Sequence, residues 1–422
     1  MKLAIVSDNL YSKGATTGGD DVPGGANQTD DPQPFLALGY FYMDEFFPLL
    51  RPRFTGLLMA GLAKDPAPGE NWTAVAAKPW LRVCGLPDFK GIAGWFLRLP
   101  AIARALYQVI SEADVVLLKV FSLNSILALP IARFLGKKIM CQIVGDPVDA
   151  FTVKAASWPA PLRHSGKFLI ERSTRSIVAA SSLVWTVSRA LADRYVPRGK
   201  PFVVASESRM KLEDYRERIE LHGPENDRPL RLIFVGRLEK VKGLDTLLTA
   251  MEILKAEEIR LTIVGDGSLN SWLEAELAGR GLTDRIDLAG PVPFGSRLFD
   301  LYRSADVMVL PSYSEGLPLV LVEAMANSLP VVATAVGGIP EIVEHEKNGL
   351  LVPPGKPSDL AEAIRCLAVS PDLRARLASA SYATALERSA ERERAKAARA
   401  ILEIFNPPPV ATLDQQGGSD ST

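Results

Sequence analysis

A chain of 422 residues with 47% hydrophobic and 23% charged side chains is too apolar to be disordered and too long for one ordinary core, so two domains are expected. Its three cysteines, Cys84, Cys141 and Cys366, lie far apart without C-x-x-C spacing, which excludes a disulfide framework or cysteine zinc site and predicts buried free thiols. The net charge is only −1, yet residues 46–214 hold 23 basic against 12 acidic side chains. That balance suits an anionic membrane surface or a phosphorylated acceptor, and equally a solvated face.

The N-terminal MKLAIVSDN has one lysine and an apolar run much shorter than that of a secretion signal. Nothing downstream approaches the ~20 uninterrupted apolar residues of a spanning helix, so a cytoplasmic protein is expected. Leu3–Ser7 reads as a buried strand. Residues 11–34 then carry Gly14, Gly18, Gly19, Gly24 and Gly25 with Pro23, Pro32 and Pro34, which predicts a long loop. A glycine-rich loop at the carboxyl end of a strand commonly touches ligand. Strands are predicted near 55–60, 81–84, 114–118, 138–144, 183–187 and 202–205, with helices near 97–111, 123–135, 162–178 and 188–195. Such alternation implies β-α-β units and a parallel sheet. Residues 207–229 are hydrophilic and richly charged, as an interdomain linker would be.

The second half repeats this grammar. Leu230–Val235, Arg260–Val264, Ile286–Leu288, Val307–Leu310 and Pro330–Ala333 are strand-like, separated by helices near 243–256, 268–281, 296–304 and 318–327. This is a second doubly wound domain. Pro357–Cys366 and the residues from Asp372 are helical, and Tyr382–Phe405 is predicted as one long Ala/Arg/Glu-rich helix. Pro407–Pro409 stop that helix, and residues 406–422 read as a disordered tail.

The chemistry concentrates in three turns. In VLPSYSEGLPLVLVEA a strand ends at Leu310, a polar turn holds Ser312, Ser314, Glu315 and Gly316, and Pro318 opens a helix. Free N–H groups at that helix start form an anion site, and Gly316 allows close approach to the backbone. Glu315 and Glu323, eight positions apart, can point into one pocket and accept hydrogen bonds from sugar hydroxyls; each also reads as an ordinary helix-start carboxylate. In FVGRLEKVKG, Arg237 and Lys242 can neutralise a departing diphosphate, although a solvated basic turn has the same composition. IVGDGSL begins like a dinucleotide fingerprint, but Asn270 stands where the third glycine belongs, so the loop reads better as lining a nucleotide base. His164, His222 and His345 lack metal-ligand spacing.

Together, FVGRLEKVKGLDTLL, IVGDGSL, LYRSADVMVLPSYSEGLPLVLVEAMANSLPVVAT and GGIPEIVEHEKNGLLVPPG closely resemble the retaining GT-B glycosyltransferases marked by an E-x7-E pair, over about residues 230–370. The resemblance implies catalytic roles for Arg237 and Lys242 on the donor diphosphate and for Glu315 on the transferred sugar. It implies a ribose contact for Glu323, backbone contacts to the sugar phosphate from Gly316, Leu317 and Pro318, and donor-binding positions at Gly236, Gly265 and Asp266. The N-terminal half resembles the family only loosely. Gly24-Gly25 looks like its glycine-rich loop, set inside an insertion. Val144-Gly-Asp-Pro-Val-Asp149 stands where many members carry a histidine, so Asp146 reads either as an acceptor contact or as a turn-forming Asp-Pro. Ser206-Glu-Ser-Arg-Met210 replaces the usual P-N-G.

The expected architecture is therefore α/β of GT-B type: two Rossmann-like doubly wound domains, 1–206 for the acceptor and 230–381 for the donor, with a cleft between them. Residues 382–405 would be a helix crossing back to the first domain. The expected function is transfer of a hexose-type sugar from a nucleotide-diphosphate donor to a saccharide or lipid-linked acceptor in surface glycan assembly, without metal or other cofactor. The alternative is a non-catalytic nucleotide-sugar-binding subunit. No nucleic-acid partner is expected. Contact with the inner face of a membrane is motivated by the basic amphipathic stretch 161–178.

Overall fold

Val115–Val120, Lys138–Ile143 and Leu183–Thr186 are buried on nearly every side chain, as strands covered by helices on both faces must be. In the computed structural model they lie side by side and parallel. The structure describes residues 1–13, 35–37, 43–63, 73–75, 78–89, 91–120, 122–155, 158–217 and 228–405.

The first half runs β1 (Lys2–Lys13), β2 (Phe35–Ala37), α1 (Met43–Leu50), β3 (Gly56–Ala63), β4 (Thr73–Val75) and β5 (Leu81–Leu86). It continues through α2 (Gly91–Glu112), β6 (Val115–Val120), α3 (Leu123–Phe134), β7 (Lys138–Ile143), α4 (Pro147–Lys154), α5 (Ala160–Ala180), β8 (Leu183–Thr186), α6 (Arg189–Tyr195) and β9 (Phe202–Val204). Seven of the strands form a parallel sheet in the order β5-β3-β1-β6-β7-β8-β9, while β2 pairs antiparallel with the far end of β1 and β4 pairs antiparallel with β2. Alternation along β6 sends Val116 and Leu118 to the helix layer of α2, α3, α5 and α6, and Val115 and Leu117 to the opposite layer.

The second half contains β10 (Leu230–Val235), α7 (Leu244–Ile253), β11 (Ile259–Val264), α8 (Asn270–Arg280), β12 (Ile286–Gly290), α9 (Ser296–Ser304) and β13 (Val307–Leu310). It closes with α10 (Leu319–Ala326), β14 (Val331–Thr334), β15 (Gly349–Val352), α11 (Pro357–Val369), α12 (Pro371–Glu387) and α13 (Ala390–Phe405). Its sheet is wholly parallel, ordered β12-β11-β10-β13-β14-β15, with the strand order reversing between β10 and β13. At such a reversal the loops after both strands open onto one crevice.

The return to the first domain is real, but the expected single helix 382–405 is broken. Arg388 ends α12 and donates to the Glu341 carbonyl, and Ser389 Oγ accepts from Arg392 N at 3.4 Å to start α13 on a new axis. Ala397, Ala398, Ile401 and Phe405 of α13 then share the opposite layer of the first sheet with Phe46, Phe47 and Leu50 of α1, and the Phe54 and Phe405 ring centroids are 6.3 Å apart. The hydrophilic stretch 207–229 is not simply a linker either. Met210 and Tyr215 are buried, the Met210 carbonyl accepts from Ala390 N at 2.9 Å, and Tyr215 Oη donates to the Ala385 carbonyl at 2.9 Å.

Of the three thiols only Cys141 is buried, its pKa pushed up to about 12 by burial; Cys84 and Cys366 are half-buried. No helix among the described residues is long and apolar enough to cross a membrane. The tail 406–422 and the glycine-rich loop with Gly24 and Gly25 lie outside the described residues.

Candidate functional site

Three loops meet at the carboxyl ends of β10, β11 and β13. After β10, Gly236 N donates to the Val264 carbonyl at 3.0 Å and Leu238 N to the Asp266 carbonyl at 2.9 Å, lacing FVGRL to VGDGS. A Cβ on Gly265, whose φ is +147°, would stand 1.9 Å from the Gly236 carbonyl oxygen, so the two backbones meet where no side chain fits. Asp266 spends Oδ1 inside its own loop, accepting from Gly267 N at 2.8 Å and from the Asn270 amide.

The chain then turns through a short 3₁₀ segment, Lys240–Lys242, which brings Lys242 beneath the loop after β13. Lys242 Nζ donates to Glu315 Oε1 at 2.7 Å, and Ser312 Oγ donates to the same oxygen at 2.7 Å. Both charged side chains are largely withdrawn from water. Ser312 is fully buried, and its carbonyl accepts from Thr334 Oγ1 at 2.6 Å. Glu315 therefore sits in a fixed place with one oxygen held twice. Arg237 is different: its side chain is 72% exposed and pairs with Glu239 at 2.7 Å. It stands at the rim of the crevice without touching Lys242's partner.

Leu317 is buried, and Pro318 occupies the residue before α10. That helix start has no side-chain cap; Leu321 N turns back to the Pro318 carbonyl at 3.1 Å, which leaves the N–H groups of Leu319 and Val320 for another acceptor. Gly316 faces the first domain: a Cβ there would lie 2.9 Å from the Val144 carbonyl oxygen and 3.1 Å from Gly145 Cα. The two domains, and not only a ligand, thus account for this glycine.

Glu323, in the second turn of α10, is only 2% exposed. Tyr302 Oη donates to its Oε2 at 3.1 Å, and Arg209 Nη2 stands 3.5 Å from its Oε1. Burial pushes the carboxyl pKa up, while the Arg209 charge and the Tyr302 hydroxyl pull it down. The Arg209 guanidinium also lies over the Phe294 ring, 4.6 Å from its centroid. Arg209 and Tyr302 were not readable as partners of Glu323. The only trace was that Arg209 lies in the segment replacing P-N-G.

Asp146, expected as either an acceptor contact or a turn former, is a turn former in this structure. It caps α4, with Oδ1 accepting from Val148 N at 2.9 Å and Asp149 N at 3.1 Å. Arg194 at 2.5 Å and the Tyr195 hydroxyl at 3.0 Å take up the rest of the carboxylate. Its neighbour Asp149 instead crosses the cleft, accepting from Ser314 Oγ at 3.0 Å. A second crossing joins Glu341 to the start of α6, where Arg189 N and Ala190 N donate to the carboxylate at 2.6 and 2.8 Å.

Residues 216–384, which hold all of these loops except the crossing partners and Arg209, match the family of glycosyl transferases group 1. The chain carries a group 1 glycosyltransferase domain. Relatives of this domain include a D-inositol 3-phosphate glycosyltransferase of Xylanimonas cellulosilytica, 37% identical over 183 residues, covering 42% of each chain. The amylovoran biosynthesis glycosyltransferase AmsK of Erwinia amylovora is 34% identical over 195 residues, 44% of this chain and 47% of its own. The similarity thus spans less than half of these curated relatives' length. Beyond the glycosyltransferase domain the likeness is one of fold. The sucrose-phosphate synthase of Thermosynechococcus elongatus superposes with a TM-score of 0.69 at 20% identity, over 96% of this chain and 99% of that one. Anabaena HepE in complex with UDP-glucose gives 0.62 at 18% identity, over 96% and 99%. The architecture is GT-B, with two Rossmann-like domains.

Proposed function

We propose that the protein is a retaining glycosyltransferase that moves a hexose-type sugar from a nucleotide-diphosphate donor to a saccharide or lipid-linked acceptor in surface glycan assembly, using no metal or other cofactor. The observation that carries this reading is the Lys242–Glu315 pair, held at 2.7 Å where the loops after β10 and β13 meet. A buried ammonium beside an uncapped helix start offers positive charge to a diphosphate both before and after it leaves the sugar. Arg237 at the rim would swing from Glu239 onto the same phosphates, replacing an exposed pair of small worth. Glu315, with one oxygen held by Lys242 and Ser312, keeps its other oxygen for a sugar hydroxyl. Glu323 has Oε2 on Tyr302 and Oε1 buried beside Arg209, so a ribose hydroxyl would reach Oε1 only by sharing it with that guanidinium.

Support for a nucleotide-sugar donor comes from the match to the group 1 family and from the fold neighbour that holds UDP-glucose. The decisive experiment pairs two measurements. Thermal shift against a panel of nucleoside diphosphates and nucleotide sugars reads donor binding, where a ligand at ~100 times its Kd adds about 2.7 kcal/mol. Proton NMR of the product from an acceptor panel reads the anomeric configuration. Retention is expected, and Lys242→Ala should lower turnover at least ~100-fold while leaving the protein folded. Donor binding without transfer or hydrolysis would favour the non-catalytic subunit, a reading motivated by an N-terminal loop whose Asp146 is committed to α4, Arg194 and Tyr195.

A further inference from the structure

The helix layer of α2, α3 and α5 on the first sheet has an outer face unlike that of a solvated helix layer. α2 buries Trp95, Ile102, Leu106, Val109 and Ile110 against the sheet, which should leave a polar face outside. Instead its outer face carries Phe96, 62% exposed, Leu97, 85% exposed, and Tyr107, 47% exposed. α5 repeats the anomaly with Leu162, Phe168 and Leu169, each 58–63% exposed. α3 packs between the two helices, so these side chains belong to one layer.

Charge on the same layer is one-sided. The three helices hold seven basic residues, Arg98, Arg104, Arg133, Arg163, Lys167, Arg172 and Arg175, against two acidic ones. Both acids are already engaged, Glu112 with Arg82 at 2.6 Å and Glu171 with Arg175 at 2.9 Å. Arg98, Arg104, Arg133 and Arg172 are exposed and have no acidic partner among the described residues. Large apolar side chains ringed by unpaired arginines fit a surface that is apolar beneath and anionic above.

We propose that this layer is a docking face for an anionic lipid bilayer, with α2 as its principal element and α5 as its flank. A second copy of the chain fits less well, because the face would meet its own arginines. The polarity of the fold gives the docking a purpose. In a parallel sheet the crossover helices start at the carboxyl ends of the strands, the edge that faces the cleft. Phe96 and Leu97 lie in the second turn of α2 and Leu162 in the first turn of α5. Insertion of these residues brings the cleft mouth to the headgroup level, where a lipid-linked acceptor would present its sugar. That use rests on the transfer reading; the docking itself does not.

The test is flotation of the full chain with vesicles of phosphatidylcholine alone and of phosphatidylcholine with about 30% phosphatidylglycerol. Binding is expected to the anionic vesicles only, and to fall steeply between about 0.1 and 0.5 M salt. Phe96→Ser with Leu97→Ser, and separately Arg98→Glu with Arg104→Glu, should each weaken it at least ~10-fold. Light scattering and UDP thermal shift on the same variants are expected to be unchanged, which shows that they fold and keeps donor binding a separate result. Absence of vesicle binding overturns the proposal, as does binding indifferent to both double variants. Loss of a dimer in those variants overturns it in favour of a second copy.

Discussion

Glu323 is held between opposing effects, and their balance has a measurable sign. Burial raises its pKa in the folded chain above the unfolded value, and Arg209 limits the rise. The folded state then holds this proton more tightly than the unfolded state does. The resulting stabilisation is complete below the ordinary carboxylate range and is lost as pH rises through the folded value. Glu323→Gln lacks this term, so its melting temperature should gain on the wild type as pH rises across that window. Melts of both proteins at stepped pH decide it, and a constant difference would remove the buried-carboxylate account. Removing Arg209's charge should push the carboxyl higher still, so Arg209→Met is expected to move the window to higher pH. Little of this could be read from residue order. Glu315 and Glu323 were visible because each sits in a strand-turn-helix pattern, whereas Tyr302 reaches Glu323 from another helix and Arg209 from the stretch before β10.

At the level of elements, legibility followed burial pattern. β10, β13 and β14 are short β-branched runs buried on both sides, and the sequence pattern marks their ends to within a residue or so. β15, whose Gly349-Leu-Leu-Val352 follows a turn and has only four residues, is too short to stand out as a strand in the sequence. α1 gives no clear helix pattern either, because Pro48 interrupts a short segment whose only recommendation is the aromatic pair Phe46 and Phe47. The break at Arg388–Ser389 was hidden by composition, since both flanks are strong helix formers and the cause is tertiary: a hydrogen bond from Arg388 to the Glu341 carbonyl. The break matters because it frees α13 to turn onto the first sheet. Phe405, 1% exposed against Phe54, is the last turn of that attachment. Phe405→Ala is expected to cost about 3–5 kcal/mol, read as a lower urea midpoint. Because Trp185 lies in the same buried layer as Phe405 and Trp80 packs against it on Phe47, near-ultraviolet signals from both tryptophans should be lost in the same transition.

For the molecule as a whole, the crevice loops of the second half were legible because they are local, each a strand end followed by a turn and a helix. The strands β6 to β9 of the first half were equally legible, but that half's contribution to the cleft was not, because it is made by contacts that join residues more than a hundred positions apart. Glu341 is the clearest of these. Its carboxylate accepts from two first-turn N–H groups of α6 in the other domain, capping that helix from across the cleft. The Ser314–Asp149 hydrogen bond adds a second link near Glu315. Both links exist only while the domains are close, so they bias the closed arrangement that a two-domain site needs. Glu341→Ala removes the stronger link without touching Lys242, Glu315 or Glu323. A helix cap of about 1 kcal/mol corresponds to roughly a fivefold change in the open-to-closed ratio. Small-angle X-ray scattering of the ligand-free variant should therefore show a larger radius of gyration than the wild type, and saturating donor should bring the two curves together. If the two ligand-free proteins scatter identically, the cleft is held by its apolar packing and the carboxylate only decorates the α6 terminus.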